Sequence, residues 1–178
     1  MGECEILTSS YKLKVLLCGP AGSGKRGLIM KYIKSRFQTD YKLTVGVDIL
    51  TKDVELANNN VCTLNIWDIG GQERFSFIRS TFYKGAAGAL LVFDLSRAAT
   101  WDEIKNWRAE VKQFSGDIPF ILIGNNLDQI THAEEGINRN ECKAYAESQG
   151  SEYIETSPKE SSNVDQALIA LTKKIVGQ

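Results

Sequence analysis

GPAGSGKRG, residues 19–27, is the stretch that decides the fold of this sequence. Up to Lys25 it matches the pattern G-x-x-x-x-G-K of a loop whose backbone N–H groups surround a phosphate. Gly22 and Gly24 permit the backbone angles that such a loop needs, and Lys25 adds a positive charge for the terminal phosphates. An apolar run at residues 12–19 precedes the loop, and a helical pattern follows at 26–36. This placement between a strand and a helix favours a phosphate-binding loop over an ordinary glycine-rich turn.

Apolar runs alternate with amphipathic stretches along the rest of the chain. Strand-like segments occur at residues 45–56, 61–67, 89–95, 118–123 and 153–154, and helical patterns occur at 138–149 and 163–176. The runs at 89–95 and 118–123 are almost wholly apolar, which is typical of parallel strands covered on both faces. Three asparagines, residues 58–60, indicate a tight turn between the first two of these strands. The order predicts an α/β fold with a mostly parallel sheet and helices on both faces.

Another helix is predicted over TWDEIKNWRAEVKQF, residues 100–114. Thr100 is predicted as its N-cap, and Glu103 is predicted to complete a capping box. Apolar residues recur there at helical spacing, and we interpret them as core residues: Trp101, Ile104, Trp107, Val111 and Phe114.

The composition is that of one ordinary globular domain, with 178 residues, 43% of them hydrophobic and 24% charged. A net charge of -1 and a pI of about 5.9 provide no basic field for nucleic acid. The four cysteines are widely spaced and His132 is the one histidine, so no zinc site is predicted. The sequence has neither a signal peptide nor an apolar stretch long enough to cross a membrane. We therefore expect a cytoplasmic protein that binds no nucleic acid.

A second motif, NIWDIGGQERF at residues 65–75, also indicates phosphate binding. Asp68 ends an apolar strand, at the edge of a parallel sheet where ligands bind. Gly71 can offer a backbone N–H to a terminal phosphate, and Gln72 beside it can orient an attacking water. An aspartate at a strand end is weak evidence alone, whereas the whole string is highly specific.

These motifs resemble those of the Ras superfamily of small GTPases, and most closely those of its Rab branch. The likeness extends over nearly all of residues 11–176: TVGVD at 44–48 resembles switch I, WDIGGQERF at 67–75 resembles switch II, and FYKGAAGALLVFDLS at 82–96 resembles Rab sequences. The resemblance implies a P-loop G domain at residues 11–178 after an N-terminal extension at 1–10. It implies a mostly parallel six-stranded sheet with one antiparallel edge strand, and it implies binding of GTP and GDP.

The same resemblance implies roles for the residues of both motifs. Thr44 would reach the γ-phosphate and, with Asp68, a magnesium ion. The catalytic residues would be Gln72, Gly71, Thr44 and Lys25. The phosphates would be bound by Gly19, Gly22, Ser23, Gly24, Lys25 and Arg26.

Two later motifs resemble the guanine-binding segments of the family, GNNLD at residues 124–128 and ETSPK at 155–159. The guanine-binding residues implied are Asn125, Asp128, Phe37, Ser157 and Lys159. The resemblance also implies an exposed effector surface that includes Ile49, Trp67 and Tyr83, at the positions of the aromatic triad of Rab proteins. Ile49 stands where that triad usually has phenylalanine.

Arg26 departs from the family pattern, because a serine or threonine hydroxyl would bind magnesium at its position. A guanidinium is always charged and has no lone pair to offer a metal. At ~4 Å and an effective dielectric constant of ~20, its repulsion of a divalent ion would be roughly 8 kcal/mol. We therefore expect the usual magnesium site to be weakened unless Arg26 turns away. Two alternatives are that Arg26 pairs with the β- or γ-phosphate oxygens, or that it neutralises Asp68.

Two further departures affect the base. Asn126 replaces a lysine whose stem would cover the guanine and whose ammonium would brace the phosphate loop. Pro158 replaces an alanine whose backbone N–H would reach the guanine O6, and proline has no N–H. Asp128 can still accept from the guanine N1–H and amino group. We expect a guanine preference with weakened rejection of adenine.

Three functions are compatible with these residues. The first is a GTP/GDP switch with slow, partner-assisted hydrolysis. The second is a catalytically weak, GDP-bound or metal-independent G domain that serves as a protein-binding module, which Arg26 favours. The third is a P-loop kinase or ATPase, against which Asp128 and the Rab-like switches argue.

The resemblance implies effector, GTPase-activating and exchange proteins as partners, and we expect a monomer. Rab proteins usually end in a variable stretch with prenylated cysteines, whereas this sequence stops at KKIVGQ. Either such a tail was removed or the protein is not prenylated, so peripheral membrane association stays open.

Overall fold

The computed structural model describes residues 10–34, 46–57, 60–130, 137–160 and 163–178. Its six strands are β1 (Ser10–Cys18), β2 (Val47–Glu55), β3 (Val61–Ile69), β4 (Gly88–Asp94), β5 (Phe120–Asn125) and β6 (Glu152–Glu155). They form one sheet in the order β2-β3-β1-β4-β5-β6. Strand β2 pairs antiparallel with β3, and the other pairings are parallel. This confirms the predicted sheet with its one antiparallel edge strand.

Six helices of the described residues cover the sheet: α1 (Lys25–Lys34), α2 (Ser76–Tyr83), α3 (Ala98–Asp102), α4 (Ile104–Ser115), α5 (Arg139–Ser148) and α6 (Val164–Val176). One face packs against α1 and α6, and the other packs against α2 to α5. Alternate residues of the buried strands point to opposite faces. In β1, for example, Leu17 joins the first core and Leu16 the second. Among the described helices, none combines the length and the apolar character needed to cross a membrane.

The hairpin of β2 and β3 follows the prediction closely. The amide of Leu56 donates to the carbonyl of Asn60 at 2.8 Å, which closes the end of the hairpin. The two asparagines at 58–59 lie outside the described residues. The register places Asp48 opposite Asp68 and Ile49 opposite Trp67, and this pairing shapes the site described below.

The predicted capping box at Thr100 is wrong. The helix α3 begins earlier, at Ala98, and Thr100 lies inside it. The Thr100 hydroxyl accepts from the amide of Asp94 at 2.9 Å and donates to the carbonyl of Arg97 at 2.7 Å. Glu103 separates α3 from α4 and makes no side-chain cap. The predicted apolar stripe is buried except for Phe114, which is 42% exposed.

Candidate nucleotide-binding site

The phosphate loop connects the end of β1 to the first turn of α1. Gly22 and Gly24 both have positive φ angles, +80° and +79°, in the region that disfavours side chains. A Cβ atom at Gly24 would lie 2.5 Å from the side-chain nitrogen of Asn125. The loop therefore requires glycine here both for its backbone angles and for its close approach to neighbouring groups.

Lys25 places its ammonium inside this loop. The residue is 7% exposed, and its Nζ donates to the carbonyls of Gly19 at 2.6 Å and Pro20 at 3.0 Å. Burial lowers the pKa of Lys25 to about 8, and the negative charge of Asp68 opposes that shift in part. The lysine charge is thus already held at the loop by neutral carbonyl oxygens.

Arg26 forms an ion pair with Asp48 in β2. Its Nη1 lies 2.8 Å from Asp48 Oδ2. The guanidinium contacts the cross-strand neighbour of Asp68. Like charges directly opposite each other in a sheet repel, so a cation beside this pair is favourable.

The residues present do not fit a magnesium ion bound through position 26. The side chain there is a guanidinium with no lone pair, and it is already paired with a carboxylate. The part of the chain that the structure describes contains no cluster of three or more His, Cys, Asp or Glu side chains suited to a metal. Asp68 lies buried at the end of β3, and Thr44 lies outside the described residues.

Gly71 lies against the backbone of the phosphate loop. A Cβ atom on Gly71 would come within 2.5 Å of the amide nitrogen of Ala21 and 2.7 Å of the Gly19 carbonyl oxygen. Gln72 follows directly, and its Oε1 accepts from Arg74 Nε at 2.6 Å. The two motifs that are about fifty residues apart in sequence therefore meet at one point.

The structure also brings together three predicted guanine-binding residues. Asn125 is buried and donates from Nδ2 to the carbonyl of Ser23 in the phosphate loop at 3.0 Å. The Ser157 hydroxyl donates to Asp128 Oδ1 at 2.5 Å. Thr156 connects the two segments, because its hydroxyl donates to Asn125 Oδ1 at 2.9 Å.

The other residues predicted near the guanine base are Asn126, Pro158, Lys159 and Phe37. Asn126 adopts the left-handed conformation, with φ 62° and ψ 37°, and its side chain lies beside Gly24 of the phosphate loop. Pro158 is buried, and the exposed Lys159 follows it in the same turn. Phe37 lies outside the described residues.

Two of the three residues predicted for an effector surface, Ile49 and Trp67, face each other across strands β2 and β3. Ile49 is 50% exposed and stands opposite the partly buried Trp67. Lys14 Nζ lies 3.7 Å from the Trp67 ring. The expectation that Tyr83 is exposed is wrong, because Tyr83 is 0% exposed and its hydroxyl donates to Glu110 Oε1 at 2.9 Å.

Three residues that shape this region were not predicted from the sequence. Asp48 is the last residue of the TVGVD motif, and the predicted hairpin places it across from Asp68. Glu110 accepts two hydrogen bonds from the buried Arg79, at 2.8 and 2.9 Å, and no local pattern signals a pair so distant in sequence. Arg97 contacts the phosphate loop from the segment after β4, and no sequence motif marks it.

Comparison with known proteins agrees with this geometry. The Ras family model matches residues 14–177. GTP-binding protein YPTC5 of Chlamydomonas reinhardtii is 39% identical over 167 residues, which cover 90% of this chain and 81% of the relative. Ras-related protein Rab7 of Pisum sativum is 36% identical over 90% of this chain and 81% of its own length. Ras-related protein RABA6a of Arabidopsis thaliana is 34% identical over 97% of this chain and 71% of its own length.

The chain therefore belongs to the Ras family of small GTPases, as the motifs indicated. Its similarity to Rab and Ypt proteins over most of its length places it in the Rab branch.

Proposed function

We propose that this chain is a GTP/GDP switch that hydrolyses GTP slowly and has an altered magnesium site. The observation that carries the proposal is the convergence of two segments on the phosphate loop and its buried lysine. Gly71 packs against the loop backbone, Asn125 donates to the Ser23 carbonyl, and Lys25 supplies a buried ammonium. A nucleotide with its base near Asp128 and its phosphates over the loop would contact all three.

Hydrolysis would follow the in-line course of phosphoryl transfer. Gln72 would orient a water toward the γ-phosphorus, the bond to the β–γ bridging oxygen would break, and GDP and phosphate would result. Lys25 would stabilise the charge on the departing oxygen. The Gln72 side chain is engaged by Arg74 in this structure and would first have to leave it, which supports a slow reaction.

The altered metal site is supported by the Arg26–Asp48 ion pair. Without a hydroxyl ligand at position 26, we propose that Lys25 and the loop N–H groups provide most of the phosphate binding. The test is the affinity for GDP with magnesium and then with EDTA, with ADP as the control. Equal affinity in both solutions supports the proposal, and release of GDP by EDTA contradicts it.

Sustained GTP turnover distinguishes a switch from a module that only binds. We expect multiple-turnover phosphate release from the wild-type chain and its loss in Gln72→Leu. Gln113→Leu, an exposed glutamine of α4, is the matched control and is expected to keep the wild-type rate. Absence of turnover in the wild-type chain, with GDP still bound, would instead support the alternative of a GDP-bound protein-binding module.

We propose partners and location from the Rab membership of the chain. The exposed Ile49 with Trp67 would contact an effector, and GTPase-activating and exchange proteins would act on the switches. The role would be in vesicle trafficking, with the protein in the cytoplasm or at the periphery of a membrane. Pull-down with GTP- and GDP-loaded protein, each compared with Ile49→Asp, tests the effector surface.

A further inference from the structure

The guanidinium of Arg97 lies directly against the phosphate loop. Its Nη1 donates to the carbonyl oxygen of Gly22 at 3.4 Å, a long hydrogen bond that crosses 75 positions of sequence. A Cβ atom at Gly22 would lie 2.1 Å from the same nitrogen. The absence of a side chain at Gly22 is what lets Arg97 approach so closely.

The backbone around Arg97 is held by a small network at the end of β4. The amide of Arg97 donates to the carbonyl of Asp94 at 3.0 Å, and the Thr100 hydroxyl donates to the carbonyl of Arg97 at 2.7 Å. The carboxylate of Asp94 in turn accepts from the amide and the hydroxyl of Ser96, at 2.9 and 2.6 Å. The backbone of Arg97 is therefore held in place, which restricts the positions that its side chain can reach.

The contact with Gly22 bears on the direction of the loop amides. In a trans peptide the C=O of one residue and the N–H of the next point in opposite directions. A donor on the Gly22 carbonyl thus helps to fix the plane of the peptide that carries the Ser23 N–H, and this N–H donates to the Pro20 carbonyl oxygen at 3.3 Å. Asn125 does the same one residue later, because it donates to the Ser23 carbonyl.

Among the described residues that contact this part of the loop, the other polar groups are neutral or engaged elsewhere. Asn126 beside Gly24 is neutral, and Arg26 is paired with Asp48. Lys25 lies within the loop itself, bonded to the carbonyls of Gly19 and Pro20. Arg97 thus brings a cation to the loop from the segment after β4.

We propose that Arg97 is a positioning residue for nucleotide phosphates. It holds the Gly22 carbonyl, and it thereby stabilises the Pro20–Ser23 turn of the loop in the conformation over which the phosphates would bind. In this way Arg97 does the work of the lysine that Asn126 replaces. The inference rests on the proposed nucleotide binding and assigns part of that binding to a residue outside every motif of the sequence.

The first test compares GDP with guanosine as ligands of Arg97→Ala. The affinity for GDP is expected to fall about tenfold, the effect of one charge-assisted hydrogen bond, while the affinity for guanosine stays unchanged. Arg97→Lys is expected to recover part of the loss. Lys143→Ala, which removes an exposed cation of α5, is the matched control and is expected to bind both ligands as the wild type does.

The second test restores the lysine. Asn126→Lys is expected to recover GDP affinity in the Arg97→Ala chain and to add little when Arg97 is present, since both cations would serve the same loop. Equal gains in the two backgrounds would show independent roles and overturn the inference. The melting temperatures of the nucleotide-free variants should match that of the wild type, because Arg97 is exposed.

The outcomes separate this inference from the proposed function. If the wild-type chain binds GDP and Arg97→Ala binds it with the same affinity, the inference is overturned and the proposed function is left intact. Equal loss for GDP and guanosine also overturns it, because the residue would then act on the base. Failure of the wild-type chain to bind GDP at all overturns both.

Discussion

Arg26 and Asp48 form a 2.8 Å ion pair that joins the first turn of α1 to the start of β2. Both side chains are about one third exposed, at 33% and 39%. Exposed ion pairs contribute about 0–1 kcal/mol, so this pair adds little to folding. Its importance is positional, because it places a fixed positive charge between the phosphate loop and the end of the switch I motif.

Arg26→Ser is expected to make GDP binding depend on magnesium. The substitution removes the positive charge beside Asp48 and Asp68 and supplies a hydroxyl that can bind a metal. The measurement is the rate of GDP release with magnesium and with EDTA. We expect at least about a tenfold difference in the variant, because the serine hydroxyl adds a metal ligand that the wild type lacks.

Arg26→Ala provides the matched control, since it removes the charge without adding a ligand. A smaller EDTA effect than in Arg26→Ser would assign the gain to the hydroxyl. If EDTA already accelerates release from the wild-type chain, the electrostatic prediction for Arg26 is wrong.

Lys25 is expected to make GDP affinity fall as the pH rises above about 8. Burial lowers its pKa to about 8 in the nucleotide-free chain, and a bound phosphate would raise that pKa again. Binding above pH 8 then requires proton uptake, so the affinity drops by up to about tenfold for each further pH unit. Calorimetry at pH 7 and pH 9 in two buffers of different ionisation enthalpy measures the protons taken up.

The same pKa shift has an opposite consequence for the empty chain. A lysine with a lowered pKa in the folded state destabilises the fold while it is protonated, and the penalty disappears as the pH rises from about 8 toward 10.5. The Lys25 contribution to the free energy of unfolding should therefore rise over that range. Lys25→Met is expected to remove it, and an identical pH profile in that variant would contradict the assignment.

Glu110→Gln is expected to destabilise the fold by about 3 kcal/mol. The carboxylate receives two bonds from Arg79, whose side chain is 5% exposed, so the variant leaves a buried cation poorly paired. Tyr83→Phe removes one hydrogen bond to the same carboxylate and should cost about 1 kcal/mol. Urea unfolding measures both.

Glu147→Gln is the control for that series. Its partner Lys143 is exposed and 3.9 Å away, so a change within about 0.5 kcal/mol is expected. Equal losses at Glu110 and Glu147 would show that the buried pairing with Arg79 has no special weight.

Much of this fold could be predicted because its strands are buried on both faces. The runs at β4 and β5 carry apolar residues at every position that meets a helix layer, which few other structures require. The phosphate loop was equally readable, because backbone geometry demands glycine at fixed spacing. The meeting of Gly71 with that loop follows from the parallel order of β1 and β3.

The predictions that differ from the structure concern side chains with more than one possible hydrogen-bond or ion-pair partner. Thr100 has a good cap sequence, yet its hydroxyl bonds Asp94 and Arg97 within one turn. Tyr83 is drawn inward by Glu110, which lies 27 positions later on another helix. Arg26 reaches Asp48 because the register of β2 on β3 brings that carboxylate near. The sequence alone does not show which of several carboxylates will lie within reach of a long side chain.

Pro158→Ala is expected to sharpen the preference for guanine over adenine. The variant restores a backbone N–H at the place where the family resemblance puts a donor to the guanine O6. The ratio of GDP to ADP affinity should rise about tenfold. Pro119→Ala, just before β5, controls for the loss of a proline, and an unchanged ratio in Pro158→Ala would exclude this donor.

The three cysteines of the described residues can be used to measure how often the structure around them opens. Cys18, Cys62 and Cys142 are free thiols and fully buried, and burial raises the pKa of each, that of Cys142 to about 12. A thiol at such a site reacts with an alkylating reagent only while the surrounding structure is open. Cys18 immediately precedes the phosphate loop, so the rate at which it is modified measures how often that end of β1 separates from its neighbours. A ligand that holds the loop closed would slow this modification and reveal its binding without any attached probe.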